Sequence, residues 1–153
     1  MFEEIKLWLQ SQKIEFTIIQ HEPTLTSAES AKARGEDLSI GGKALIIKVG
    51  NDFKIFVLSA SRKIDSNAIK KQFNVKKLRF VNSDELKDLT GLTSGAIPPF
   101  GRPIINLDLF VDRSIQNNQK IAFNAASLTN SIIMRMKDYL SIVEAEFFDF
   151  SKE

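Results

Sequence analysis

At 153 residues, with 43% hydrophobic and 26% charged side chains, the chain is long enough for one domain, residues 1–153, built on a proper apolar core. It has no cysteine and one histidine, which removes disulfides and thiol nucleophiles and leaves too few donors for a transition-metal site. The net charge of +2 hides a segregation, because residues 61–80 carry seven basic side chains against one acid and so stand at +6 against −4 for the rest.

Phe2, Ile5, Trp8 and Leu9 recur at helical spacing and predict an amphipathic helix over 2–12. Its acidic start is unlike a secretion signal, and no apolar run is long enough to span a bilayer, so a cytoplasmic protein with no membrane contact is expected. Phe16–Gln20 reads as a strand. Thr26 with Glu29 three residues on forms a capping-box pattern, and Gly35 sits where a helix-ending glycine belongs, so 27–34 is a short helix. Lys43–Val49 and Phe53–Ala60 are two apolar runs around Gly50-Asn51-Asp52, the pattern of a hairpin with a three-residue loop. Ile64, Ala68, Ile69 and Phe73 mark a further helix, followed by a strand at Leu78–Val81. Ser83 is placed to cap a helix over 84–89 that Gly91 ends. Strands are expected at Ile104–Val111 and Ile121–Phe123, then a helix at about 130–139 and an acidic, Phe-rich tail. Hairpin-linked and helix-linked strands together imply an α/β fold with a mixed sheet.

Several catalytic patterns fail on inspection. His21-Glu22-Pro23 is not a zinc-protease motif, because Pro23 blocks a helix interior and position 25 is Leu. Gly41-Gly42-Lys43 lacks the P-loop's earlier glycine and its hydroxyl after the lysine, having Asp37 and Ala44 there. Lys43 alone reads as a strand-end lysine that could reach a phosphate or carboxylate across a cleft. Residues 91–101, Gly-Leu-Thr-Ser-Gly-Ala-Ile-Pro-Pro-Phe-Gly, cannot be a helix or an interior strand. Such a stiff loop can aim main-chain amides at a ligand carbonyl. The basic segment, with Arg62, Lys63, Lys70, Lys71, Lys76 and Lys77, suits a polyanionic partner.

His21-Glu22-Pro23-Thr24, Gly42-Lys43-Ala44-Leu45, Asp65, Thr90-Gly91 and Gly95-Ala-Ile-Pro-Pro-Phe-Gly101, in that order, give the chain its resemblance to the YbaK-like aminoacyl-tRNA deacylases. These are related to the editing domain inserted in bacterial prolyl-tRNA synthetases, and the likeness covers approximately residues 15–125. It implies a single α/β domain with a barrel-like mixed sheet flanked by helices. It also implies hydrolysis of the ester of a mischarged tRNA, often proline tRNA carrying a small wrong amino acid, with no metal or cofactor. By the same resemblance Lys43 and Gly95 are the catalytic positions, Lys43 on the terminal phosphate and the Gly95–Pro99 amides facing the ester carbonyl. His21, Thr24, Ala96, Ile97, Pro98, Pro99, Phe100 and Gly101 would bind substrate. The basic segment would meet the acceptor stem, with an aminoacyl-tRNA synthetase as a second candidate partner. Ala126 stands where the family often has glycine, which predicts ordinary backbone angles and an altered pocket wall there. The alternative is a non-catalytic module of the same fold that binds aminoacyl-tRNA or a nucleotide.

Overall fold

The computed structural model describes residues 1–24 and 26–153. In chain order the elements are α1 (Phe2–Ser11), β1 (Phe16–Gln20), α2 (Ser27–Arg34), β2 (Gly42–Val49), β3 (Asp52–Ser59), β4 (Lys63–Ile64), α3 (Ser66–Phe73) and β5 (Leu78–Phe80). Then come α4 (Ser83–Thr90), β6 (Leu109–Asp112), β7 (Lys120–Asn124), β8 (Asn130–Arg135), α5 (Met136–Ile142), β9 (Ala145–Phe148) and β10 (Ser151–Lys152). Among the described residues no helix is long and apolar enough to cross a membrane.

The strands form an α/β arrangement of three sheets with open edges rather than a closed barrel. The largest has the order β5-β2-β3-β6-β9, the second β1-β8-β7, and the third β10-β4. The five-stranded sheet is mixed: β5, β2 and β3 are antiparallel neighbours, while β6 and β9 join in parallel. A parallel bridge between Gly41 and Ala122 ties the start of β2 to the second sheet. One apolar core, with Ile5, Leu9, Phe100, Phe123 and Tyr139, fills the space beneath α1 and α5. The other lies under α3 and is largely aromatic, Phe56 stacking on Phe110 at 5.3 Å and meeting Phe150 edge-on at 5.2 Å.

Local signals place the short helices. The Thr26 hydroxyl accepts the Glu29 amide, and Gly35 closes α2 at φ +70. The Asp65 carboxylate caps α3 by accepting the Ala68 amide. The cap of α4 is Asn82 rather than Ser83, because Asn82 and Glu85 complete a reciprocal capping box. The β2–β3 hairpin turns through Gly50-Asn51, one residue tighter than expected, since Asp52 already pairs with Val49.

Three segments depart from the sequence reading. Residues 104–108 are not strand: the Gly101 carbonyl takes the amides of both Ile104 and Ile105, and β6 starts at Leu109. Residues 130–135 are strand β8, held between β1 and β7, and the helix begins only at Met136. The Phe-rich tail is built into the fold. β9 pairs in parallel with β6, Phe150 is fully buried, and the Asp112 carboxylate receives the amides of Phe150 at 2.8 Å and Ser151 at 3.1 Å. Burial alone would raise the pKa of Asp112, but these bonds and those from Ser114 and Ser151 outweigh it and hold the carboxyl below its ordinary value.

Candidate active site

A cavity of about 500 Å³ opens where the five-stranded sheet is incomplete. β2 is eight residues long, but β5 pairs only with Ile47–Val49. The last rung is the Val81 amide to the Ile46 carbonyl, at 3.2 Å. Beyond it, among the described residues, no second strand pairs with Lys43, Ala44 and Leu45, which line the cavity. Alternation along a strand turns the main-chain groups of Ala44 the same way as those of Ile46, toward that open edge. α2 forms one wall through Ser30 and Arg34, and Leu86 of α4 with Gly95 and Ile97 of the Gly-Pro loop forms the other. The two features that the sequence could not bring together, Lys43 and the Gly95 loop, share this cavity.

Charge in the cavity is one-sided. Lys43 and Arg34 line it, and none of its lining residues is an Asp or Glu. Neither cation has a carboxylate within salt-bridge distance among the described residues. Burial lowers the pKa of Lys43, and the nearby Lys63 lowers it further. Burial also pulls Arg34 down to about 10. Half-desolvated cations without a counter-charge are costly unless something anionic joins them. A phosphate or carboxylate ligand answers that description.

Arg34 also organises the opposite wall. Its Nε donates to Ser131 Oγ at 2.8 Å and its Nη2 to Asn124 Oδ1 at 2.9 Å. Asn124 in turn donates through Nδ2 to the Gly95 carbonyl at 2.7 Å. A brace therefore runs from α2 across the end of β7 to the loop. Gly95 has φ +87, a conformation that side-chain-bearing residues rarely adopt. Within the loop the Ala96 amide is consumed by a turn to the Thr93 carbonyl, and Pro98 and Pro99 have none to offer. The amides of Gly95 and Ile97 have no hydrogen-bond partner among the described residues, and both residues line the cavity.

The remaining expected positions divide. Thr24 lines the cavity, its hydroxyl 2.7 Å from that of Ser30. His21 lies behind the wall, Nδ1 donating to the Glu22 carbonyl and Nε2 2.8 Å from Ser131 Oγ, one step from Arg34. Ala96, Pro98, Pro99, Phe100 and Gly101 are buried and lie outside the cavity lining. Phe100 packs edge-on to Trp8 and Phe123, and the Pro99 carbonyl accepts the Tyr139 hydroxyl at 2.7 Å. That phenol's pKa is pushed up by complete burial, so it remains a donor.

Within the basic segment two cations, Arg79 and Arg62, are engaged by partners. Arg79 forks onto Glu85 at 2.7 and 2.8 Å, holding that carboxyl down at about 2. Arg62 binds Ser151. Lys70 and Lys71 close the last turn of α3, Lys76 and Lys77 stay exposed, and Lys63 sits near Lys43. Ala126 has φ +60, so it takes up a left-handed backbone despite its methyl, contrary to the ordinary angles expected of it.

A family model described as the aminoacyl-tRNA editing domain matches residues 21–142. The chain belongs to that family. Among curated relatives of this editing-domain chain, the Multifunctional Ser/Thr-tRNA deacylase ProXp-y of Escherichia coli (strain K12) is 30% identical over 150 residues, covering 94% of this chain and 89% of that one. The Prolyl-tRNA editing protein ProX of Acetoanaerobium sticklandii is 26% identical over 144 residues, covering 90% and 87%. In fold the chain is similar to the crystal structure of the hypothetical protein APE2540, with a TM-score of 0.85 at 22% identity over 97% of this chain and 99% of that one.

Sequence reasoning did not single out Arg34 or Asn124 as site residues. Arg34 reads as a cation suited to a helix C-terminus. Asn124 reads as a polar strand end, 90 residues away from Arg34 in the chain.

Proposed function

We propose that the protein is a trans-acting aminoacyl-tRNA deacylase that hydrolyses the ester of a mischarged tRNA. The observation that carries this reading is one cavity lined by Lys43 and by Gly95 and Ile97, with no carboxylate near the lysine and no partner for the two amides among the described residues. The family and the names of its relatives, a Ser/Thr-tRNA deacylase and a prolyl-tRNA editing protein, support the same class of substrate. On this reading the tRNA is the proline acceptor and the acyl group a small wrong amino acid.

Lys43 holds a phosphate of the tRNA end, fixing the ester against the loop. The Gly95 and Ile97 amides donate to the carbonyl oxygen and stabilise the oxyanion that develops on it. A water attacks the carbonyl carbon, the bond to the ribose oxygen breaks, and that oxygen leaves as a hydroxyl carrying the proton that the water gives up. An aminoacyl ester is already activated, so positioning and charge stabilisation suffice without a covalent nucleophile. The Arg34–Asn124 brace fixes the Gly95 carbonyl, and with it the position of the loop that carries these amides.

Lys43→Ala is expected to lower deacylation of mischarged tRNA on the order of a hundredfold while leaving the thermal transition in place. Wild-type turnover in that variant would overturn the role of Lys43. Binding of mischarged tRNA by wild-type protein without faster deacylation would favour the binding module instead. The pH dependence has a defined sign. Phosphate binding needs the protonated amine, so affinity falls as pH rises through the Lys43 pKa. Because that pKa is lowered, the fall begins at a lower pH than for a solvent-exposed lysine, and Lys43→Arg moves it upward.

A further inference from the structure

Phe80 is the feature of the cavity that the deacylation chemistry leaves unused. Among the described residues four large hydrophobic side chains are well exposed, Leu7, Ile18, Phe80 and Leu89, and of these only Phe80 lines the cavity. It is 50% exposed, on the last residue of the short edge strand β5. Among the described residues no other aromatic ring packs against it. Leaving that much phenylalanine surface in water at a cavity mouth forgoes burial that the nearby cores achieve with the same residue.

The register says which way it faces. Phe80 lies opposite Ile47 in the β2–β5 ladder, so the two side chains share a face. Alternation along β2 puts Leu45 and Lys43 on that face as well. Four residues of strand separate Lys43 from Ile47, about 13 Å at ~3.3 Å per residue. One side of the sheet edge thus presents a cation and, about one to two nucleotide lengths away, a flat apolar ring. The neighbouring Arg79 does not cover that ring, because its guanidinium is committed to Glu85. An apolar protein segment would fit the ring but not Lys43 and Arg34, which line the same cavity with no carboxylate in salt-bridge range among the described residues. A ligand with phosphates and a flat, unpaired base fits both.

We propose that Phe80 is a stacking platform for an unpaired nucleobase of the single-stranded tRNA end, which positions that end while Lys43 holds its phosphate. This rests on the deacylase reading for the identity of the ligand. Stacking of a base on an aromatic face tolerates any sequence and adds affinity without touching the scissile bond. Phe80 is therefore a positioning residue, and its removal shows in KM rather than in kcat.

Phe80→Ala is expected to raise KM for mischarged tRNA roughly 5- to 100-fold with kcat little changed. Phe80→Trp is expected to behave as wild type, and Phe80→Leu, which keeps apolar cover but loses the ring face, as Phe80→Ala. An unchanged KM in Phe80→Ala, or wild-type behaviour in Phe80→Leu, would overturn the proposal. A second measurement needs no catalysis: a short RNA ending in CCA, with 2-aminopurine as its last base, is titrated with each protein. Stacking quenches the fluorophore, so quenching by wild type that is lost in Phe80→Ala and kept in Phe80→Trp supports the platform even if no deacylation is seen. Equal quenching by wild type and Phe80→Ala, or none by wild type, would overturn it. A thermal melt of each variant excludes unfolding as the cause.

Discussion

The two glycine-bearing segments that flank the cavity are glycine for different reasons. At Gly42 a methyl would stand 2.6 Å from Cδ1 and 2.8 Å from Cγ1 of Ile121, so the start of β2 lies against the second sheet at a distance only a hydrogen allows. At Gly95 the nearest atom to such a methyl is Leu128 Cδ2 at 3.5 Å, an ordinary contact, and the constraint is φ +87. Gly42 is required by packing and Gly95 by conformation. The Gly-Gly-Lys sequence that resembles a phosphate loop is thus a seam between sheets that carries the lysine to the cavity. The loop that holds the free amides is the other one.

Substitutions separate the two roles. The largest expected effect is at Gly95, where alanine must leave φ +87 or bear the strain. Either response displaces the Gly95 and Ile97 amides, and a shift near 1 Å lowers kcat/KM on the order of a hundredfold, with a much smaller change in thermal stability. Steady-state deacylation alongside a melt reads both, and a loss of stability in proportion to the loss of rate would contradict the distinction. Next comes Gly42→Ala, expected to destabilise by ~1–3 kcal/mol through overpacking against fully buried Ile121. Adding Ile121→Val, which removes the Cδ1 carbon, should recover part of that in a denaturant double-mutant cycle, and strict additivity would show that the contact is not the cause. The smallest effect is at Ala126: glycine relieves its left-handed backbone, and a gain of ~0.5–1 kcal/mol is expected. A loss on denaturant titration would mean that the methyl contributes packing that outweighs its strain.

The same distinction between local and distant causes explains what the sequence made legible. β1, α2 and the β2–β3 hairpin are set by neighbours in the chain: a capping hydroxyl at Thr26, a left-handed Gly35, two apolar runs around Gly50-Asn51. β8 was not legible as a strand, because Ile132, Ile133, Met136 and Tyr139 also satisfy a helical period. What decides the matter is that β1 and β7 lie on either side of residues 130–135. The Phe-rich tail carries no local signal for where it packs, because Asp112, almost forty residues earlier, is what holds its amides. At the cavity, Lys43 and Gly95 were named by motif. Arg34, Asn124 and Phe80 acquire a role only from the tertiary contacts that join α2, β7 and β5 to the same opening.

The Tyr139–Pro99 bond has a consequence for how the site admits substrates of different bulk. Residues 96–101 are buried and pinned there, whereas Gly91 and residues 93–95 are exposed. On the exposed leading half, the brace from Asn124 is a single hydrogen bond to the Gly95 carbonyl. Of the buried half only Ile97 lines the cavity, so on the deacylase reading discrimination by the size of the acyl group would fall to Ile97.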